Sequence, residues 1–137
     1  MKTNVTYRKY LTEADCFFAI AQREYEAGKK ENNDKSIRQG AEKAWNASVQ
    51  ATKAIALKMT GKIPRSYNAQ WQFLNDLIKK NTTNGYLLMA FKEFAKGLHG
   101  ECFYHGEYEL NEMNNDFEQV KHFIDEIKKI CHNGYEK

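Results

Sequence analysis

Between Ser36 and Gly61 the chain reads SIRQGAEKAWNASVQATKAIALKMTG, and no other stretch narrows the possible folds so far. Ile37, Ala41, Ala44, Trp45, Ser48, Ala51, Thr52, Ile55, Ala56 and Met59 recur at steps of three and four, which places them on one side of a helix. Most are Ala, Ser or Thr, so neighbouring helices can approach closely, while Trp45 is the one large anchor and needs a matching space. Such a helix belongs inside a bundle. Within it, Ser48 and Thr52 are expected to bond carbonyls one turn back.

The segments on either side continue the helical pattern. A first helix starts near Thr6 or Thr12; at the later site Thr12 with Asp15 makes a capping-box-like pair and Leu11 with Cys16 a hydrophobic staple. Its buried face is Leu11, Ala14, Phe17, Phe18, Ala21 and Tyr25, continued backwards by Tyr7 and Tyr10. Gly28 is expected to end it, with GKKENND as a charged connection. Pro64 breaks the chain after Gly61, and Ser66 or Asn68 caps a short aromatic helix over about Tyr67 to Lys80, with Tyr67, Trp71, Leu74 and Ile78 on one side. Asn81 to Gly85 reads as a turn by composition. A fourth helix runs from about Tyr86 to Gly106, with Leu87, Leu88, Phe91, Phe94, Leu98 and Cys102 inward. Gly97 and Gly100 lie off that stripe and either weaken the helix or admit a close neighbour. In the last helix Met113, Phe117, Val120, Ile124, Ile127 and Cys131 form a seam suited to antiparallel packing, within the chain or against a second copy.

These elements predict an all-α fold. It is an up-and-down bundle of four long helices plus one short one, in a single domain over residues 1–137. No stretch approaches the roughly 20 apolar residues of a membrane span. Three cysteines without CxxC spacing and without a secretory signal ahead of them are expected to be reduced thiols, and a cytoplasmic location is expected. Charge is uneven: residues 1–100 hold 17 Lys and Arg against 9 Asp and Glu, whereas residues 101–137 hold 4 against 9. The basic body suits phosphates or nucleic acid, and the acidic end suits a basic protein partner; opposite charges meeting between helices or subunits explain both more simply.

Reactive side chains concentrate in LHGECFYHGEYE, Leu98 to Glu109. His99, Cys102 and His105 are spaced by three, a poor fit to a metal site, so no metal and no cofactor is expected. As a catalytic candidate, His99 could act as general acid or base with Lys92 or Lys96 holding a phosphate. Glu42, Asn46 and Lys53 flank the central stripe and are the polar groups of that helix best placed to line a cleft. Walker, GxGxxG, HExxH and GxSxG patterns are absent, which sets aside most familiar catalysts.

With AEKAWNASVQATKAIA, the EYEAGK end of the first helix, AQWQFLNDL and LHGECFY in view, the chain resembles the PaREP-type family of small, mostly archaeal helical proteins, which is itself similar to the wider HEPN group. That resemblance implies a HEPN-like helical bundle that self-associates. Some HEPN proteins are ribonucleases with Arg, four to six intervening residues, then His; others bind nucleotides or belong to toxin-antitoxin pairs. The chain departs from the ribonuclease motif, since no Arg follows Arg65 and the residue seven before His99 is Lys92.

The expected function is therefore a non-catalytic homodimeric module binding a nucleotide or RNA between the central and fourth helices, through Glu42, Lys53, His99 and Tyr104. The alternatives are a ribonuclease using His99 and a pure protein-interaction module.

Overall fold

The computed structural model describes residues 2–80 and 85–133, with side chains described over 7–80 and 85–132. Its first two helices, α1 (Lys2–Glu31) and α2 (Asp34–Thr60), are joined through Asn32 and Asn33 alone, so they run antiparallel. The expected stop at Gly28 is not where α1 ends. Asn32 takes the reversal with φ +55°, and the helix continues to Glu31. The Asn33 N–H donates to the Gly28 carbonyl at 2.8 Å and the Asn33 side chain accepts from the Ser36 N–H at 3.2 Å, so one residue closes α1 and caps α2. Of the expected charged connection, only those two asparagines lie outside helices. Gly28 serves packing instead, because a Cβ there would lie 2.8 Å from the Ile37 main-chain nitrogen.

Helix α1 begins at Lys2 and passes through Thr12 without a break. The capping box and staple expected there do not form, since both need a helix start, and Cys16 is exposed. Tyr7, Leu11, Ala14, Phe18, Ala21 and Tyr25 are buried, with Tyr10 and Phe17 partly so. Burial on α2 is wider than the predicted stripe. Gly40, Ala47, Ala54 and Leu57 are buried as well, because α1, α3, α4 and α5 all pack against this helix. A Cβ on Gly40 would sit 3.0 Å from the Ala21 carbonyl, which shows how closely the small residues let α1 approach. Inside the stripe Ser48 Oγ donates to the Trp45 carbonyl at 2.7 Å and Thr52 Oγ1 to the Ser48 carbonyl at 2.9 Å, so both hydroxyls are satisfied where no water reaches.

Gly61, with φ +78°, closes α2, and the chain turns through Pro64 into α3 (Tyr67–Lys80). Ser66 is the cap, its Oγ accepting from the Ala69 N–H at 3.0 Å. Residues 81–84 of the expected turn lie outside the described residues, and Gly85 opens α4 (Gly85–Phe94).

Instead of one α-helix to Gly106, the chain widens into a π-helical segment, Ala95–Tyr104. Leu98 and Cys102 still point inward, but the backbone bonds reach further: the His105 N–H donates to the Gly100 carbonyl at 3.1 Å. Such bonding is tolerated where tertiary contacts hold the widened turn. Gly97 admits a close neighbour, Asp116 Oδ2 lying 3.3 Å from where its Cβ would stand, and Gly106, with φ +68°, follows the segment against the Arg38 guanidinium.

The last helix, α5 (Leu110–Asn133), buries Met113, Phe117, Val120, Phe123, Ile124, Ile127 and Cys131 against α1, α2 and α4. Its seam is thus filled by its own chain. Asp15 to Lys128 and Tyr25 to Asn114 pair α5 antiparallel to α1, while Arg38 to Phe103 and Trp45 to Phe91 pair α2 antiparallel to α4 and the π segment. The described residues form an all-helical, up-and-down bundle with α3 laid against α2 and α4. No described helix is long and apolar enough to cross a membrane.

Candidate functional site

Trp45 finds its space where α2, α3 and α4 meet. Its ring centroid lies 4.9 Å from the wholly buried Phe91, 6.2 Å from Tyr67 and 5.8 Å from His99, and Trp45, Tyr67 and His99 line a cleft of about 600 Å³ above Phe91. Four cations surround the floor: Lys53 from α2, Arg65 from the α2–α3 connection, Lys92 from α4 and Lys96 from the π segment. Asn46 and His99 complete the polar lining together with Gln70, and among the described residues no acidic one belongs to it.

Each cation is placed by local structure. Gln70 is buried, 4% exposed, and its Nε2 donates to the Pro64 carbonyl at 3.1 Å, while its N–H donates to the Ser66 carbonyl at 2.9 Å. Those two bonds pin the connection and hold Arg65 at the rim. Lys92 Nζ sits 4.6 Å over the Trp71 ring, a cation–π contact that leaves its charge unneutralised. Lys96 reaches Glu101 only at 4.0 Å with both side chains largely in solvent. Lys53 and Arg65 form no ion pair among the described residues.

His99 is the most specifically held group. Its Nδ1 lies 2.7 Å from Glu42 Oε1, and since a carboxylate only accepts, Nδ1 carries the hydrogen and the ring is held in one orientation. The ring also packs edge-on against Tyr104 at 5.0 Å and near-parallel to Phe103 at 6.1 Å. Arg38 fixes the frame behind it: Nε and Nη2 donate to the Phe103 carbonyl at 3.1 and 2.9 Å, and Nη2 also reaches the Tyr104 carbonyl at 3.1 Å.

Of the residues singled out from sequence, Asn46, Lys53, Lys92, Lys96 and His99 line the cleft together, and Glu42 joins through its bond to His99. Tyr104 touches His99 but opens onto a separate hollow with Arg38 and Gln39, where it is 64% exposed. Sequence reasoning did not assign Arg65, Gln70 or Tyr67 to the site. The Pro64 break marked the connection, but no local signal says that it folds back over α2. The spaced trio His99, Cys102 and His105 does not converge, because Cys102 is wholly buried in the core, where burial pushes its thiol up to about 12.

A second cavity of about 650 Å³ lies between the π segment and α5 and has the opposite character. Glu93, Glu101, Glu109, Glu112 and Asp116 line it, and Lys96 borders both cavities. Burial first, then the nearby Glu93, Glu112 and Glu101, push the Asp116 carboxyl up to about 6. A pKa raised by folding means that the native state favours the protonated form; stability from this group is greatest below the unfolded value of 3.8 and declines as pH rises through 6. Asp116→Asn is therefore expected to raise stability by about 1–2 kcal/mol at pH 8, allowing for partial solvent screening, and by nothing measurable at pH 3.5. Urea titrations at the two pH values read the difference, and an equal gain at both would refute the assignment.

A family model for the archaeal PaREP1/PaREP8 family matches residues 16–124. Comparison with curated proteins and with solved structures finds no match. The matched span runs from within α1 to within α5, taking in the whole cleft and the π segment, and the chain belongs to the archaeal PaREP1/PaREP8 family.

Proposed function

We propose that the cleft between α2, α3 and the α4–π segment binds a nucleotide. The observation that carries this reading is the convergence of Lys53, Arg65, Lys92 and Lys96 around an aromatic floor with no carboxylate among the described lining residues. Surface cations meant only for solubility are normally interleaved with acids, as along the exposed Lys121–Asp125 pair of α5. Phosphate oxygens answer the cations; a base answers Tyr67, whose ring is 40% exposed, and Asn46 supplies amide hydrogen bonds at its edge.

Trp45 and Trp71 lie at the site, so intrinsic fluorescence can follow a nucleotide titration. Lys53→Ala and His99→Ala are each expected to weaken binding about tenfold, the worth of one charge-assisted hydrogen bond, with helical circular dichroism unchanged. Unchanged affinity in both variants would remove the cleft from consideration. Within the same proposal the chain acts as a cytoplasmic homodimer; its three free cysteines suit a reducing compartment, and Met89, 74% exposed, and Leu110 leave apolar surface for a second copy. Native mass spectrometry reads the stoichiometry directly.

A second reading, ribonuclease activity, is favoured by the Glu42–His99 bond, which orients an imidazole beside Lys92, Lys96 and Arg65. It predicts RNA cleavage that disappears in His99→Ala. Intact RNA in the presence of wild-type protein would remove the ribonuclease reading.

A further inference from the structure

We infer that the ligand of this cleft is a nucleoside di- or triphosphate taken up without a divalent cation, an inference that rests on the nucleotide reading above. It follows from the balance of charge at the site. A terminal phosphate carries about −1.5 to −2 charge at neutral pH, so one phosphate cannot neutralise Lys53, Arg65, Lys92 and Lys96 together. Each further phosphate adds about −1, so a diphosphate at about −3 answers most of that charge and a triphosphate at about −4 answers all of it. The cations also stand on separate elements, α2, the Arg65 connection and the α4–π segment, so they border the cleft from more than one side, and a phosphate chain can meet them in succession where a single phosphate meets only some.

The same lining is hostile to magnesium. Mg²⁺ is commonly held by one or two protein carboxylates in addition to phosphate oxygens, and among the described residues lining this cleft there are none. Two acids among the described residues reach lining residues from outside: Glu42, whose Oε1 is engaged by the His99 Nδ1–H at 2.7 Å, and Glu101, whose Oε2 stands 4.0 Å from Lys96 Nζ. Asn46 offers an amide oxygen, while the Gln70 amide nitrogen is committed to Pro64. A divalent ion brought in on the phosphates would also face the four cations directly, and at short range that repulsion outweighs what Asn46 can return. The lysines and the arginine therefore take the place that Mg²⁺ occupies in many nucleotide sites, and Mg²⁺ in solution competes with the protein for the phosphates.

Isothermal titration of the full chain with the mono-, di- and triphosphates of adenosine and of guanosine, each in EDTA and in excess Mg²⁺, tests this. Holding the base constant within each series isolates the phosphate count. Affinity is expected to rise by about tenfold from mono- to diphosphate in EDTA and to fall by about tenfold when Mg²⁺ is added. In Lys53→Gln/Arg65→Gln the dependence on phosphate number is expected to flatten. Equal affinity across a series, or binding only in Mg²⁺, overturns the inference and leaves the nucleotide reading standing. No binding of any of the six in either condition overturns both.

Discussion

Phe91→Ala is expected to cost about 3–5 kcal/mol of folding free energy, the range for emptying a wholly buried aromatic position. Phe91 is 0% exposed, and its ring joins three elements: Trp45 of α2 at 4.9 Å, Tyr67 of α3 at 5.8 Å and Phe123 of α5 at 6.2 Å. Those neighbours belong to different helices, so none can fill the void without carrying its own helix along. Since a domain of this kind has a total stability of roughly 5–15 kcal/mol, the variant loses a large share of it. Urea denaturation with both circular dichroism and tryptophan fluorescence measures the loss. A second effect distinguishes this position from an ordinary core residue: Trp45 and Tyr67 also form the floor and wall of the cleft, so nucleotide affinity is expected to fall under conditions where the variant is still folded. Phe91→Leu, which keeps most of the volume, is expected to lose much less of both. A loss below about 1 kcal/mol for the alanine variant would mean that the three helices do not meet at this ring.

Arg38→Ala is expected to cost about 2 kcal/mol and to disturb the cleft from behind. Three hydrogen bonds from one guanidinium to the Phe103 and Tyr104 carbonyls tie α2 to the end of the π segment. Asp34 holds the guanidinium from the other side at 3.4 Å, and Gly106 leaves room for it, a Cβ there lying only 3.1 Å from Nη1. A π-helical turn has poorer internal bonding than an α-helical one, so the tie bears more on its geometry than it would on a regular helix. His99 rides on that turn. Losing Arg38 is therefore expected to weaken the 2.7 Å bond to Glu42, visible as a change in the His99 ring nitrogen chemical shifts. Arg38→Lys is expected to recover only part of the effect, because an ammonium cannot fork to two carbonyls in a plane. If the alanine variant keeps both its stability and its His99 signals, the guanidinium is not what holds the segment.

Much of this architecture is legible in the residue pattern. Helix α3 lies where its pattern places it, and α2 begins only two residues earlier, since Pro64, Ser66 and Gly61 act on the backbone next to them. The inward faces of α4 and α5 also follow their spacing, because burial of a stripe depends on period alone. Three features escaped. Thr12 with Asp15 and Leu11 with Cys16 carry the marks of a helix start, yet α1 runs through them from Lys2. Gly28 carries the usual mark of a helix end, yet its side-chain-free surface is used for contact with Ile37, and Asn32 makes the turn. The π segment escaped for a related reason: Gly97 and Gly100 look like weak points in an α-helix, and only Asp116 on α5 and Arg38 on α2 decide which way the weakness resolves.

The site divides along the same line. Lys53, Asn46 and Glu42 could be placed at the edge of α2 because their positions relative to its stripe are set within a few turns of one helix. Their meeting with His99, 57 residues from Glu42, could not, nor could the return of Arg65 over the cleft through the Gln70–Pro64 bond. By itself the sequence determined which segments are helical and which of their faces turn inward, because those depend on interactions between residues a few positions apart. Only the tertiary structure decided that four cations share one cleft and the acids another, because charges on separate helices have no common period along the chain and are brought together by the packing of the apolar faces beneath them.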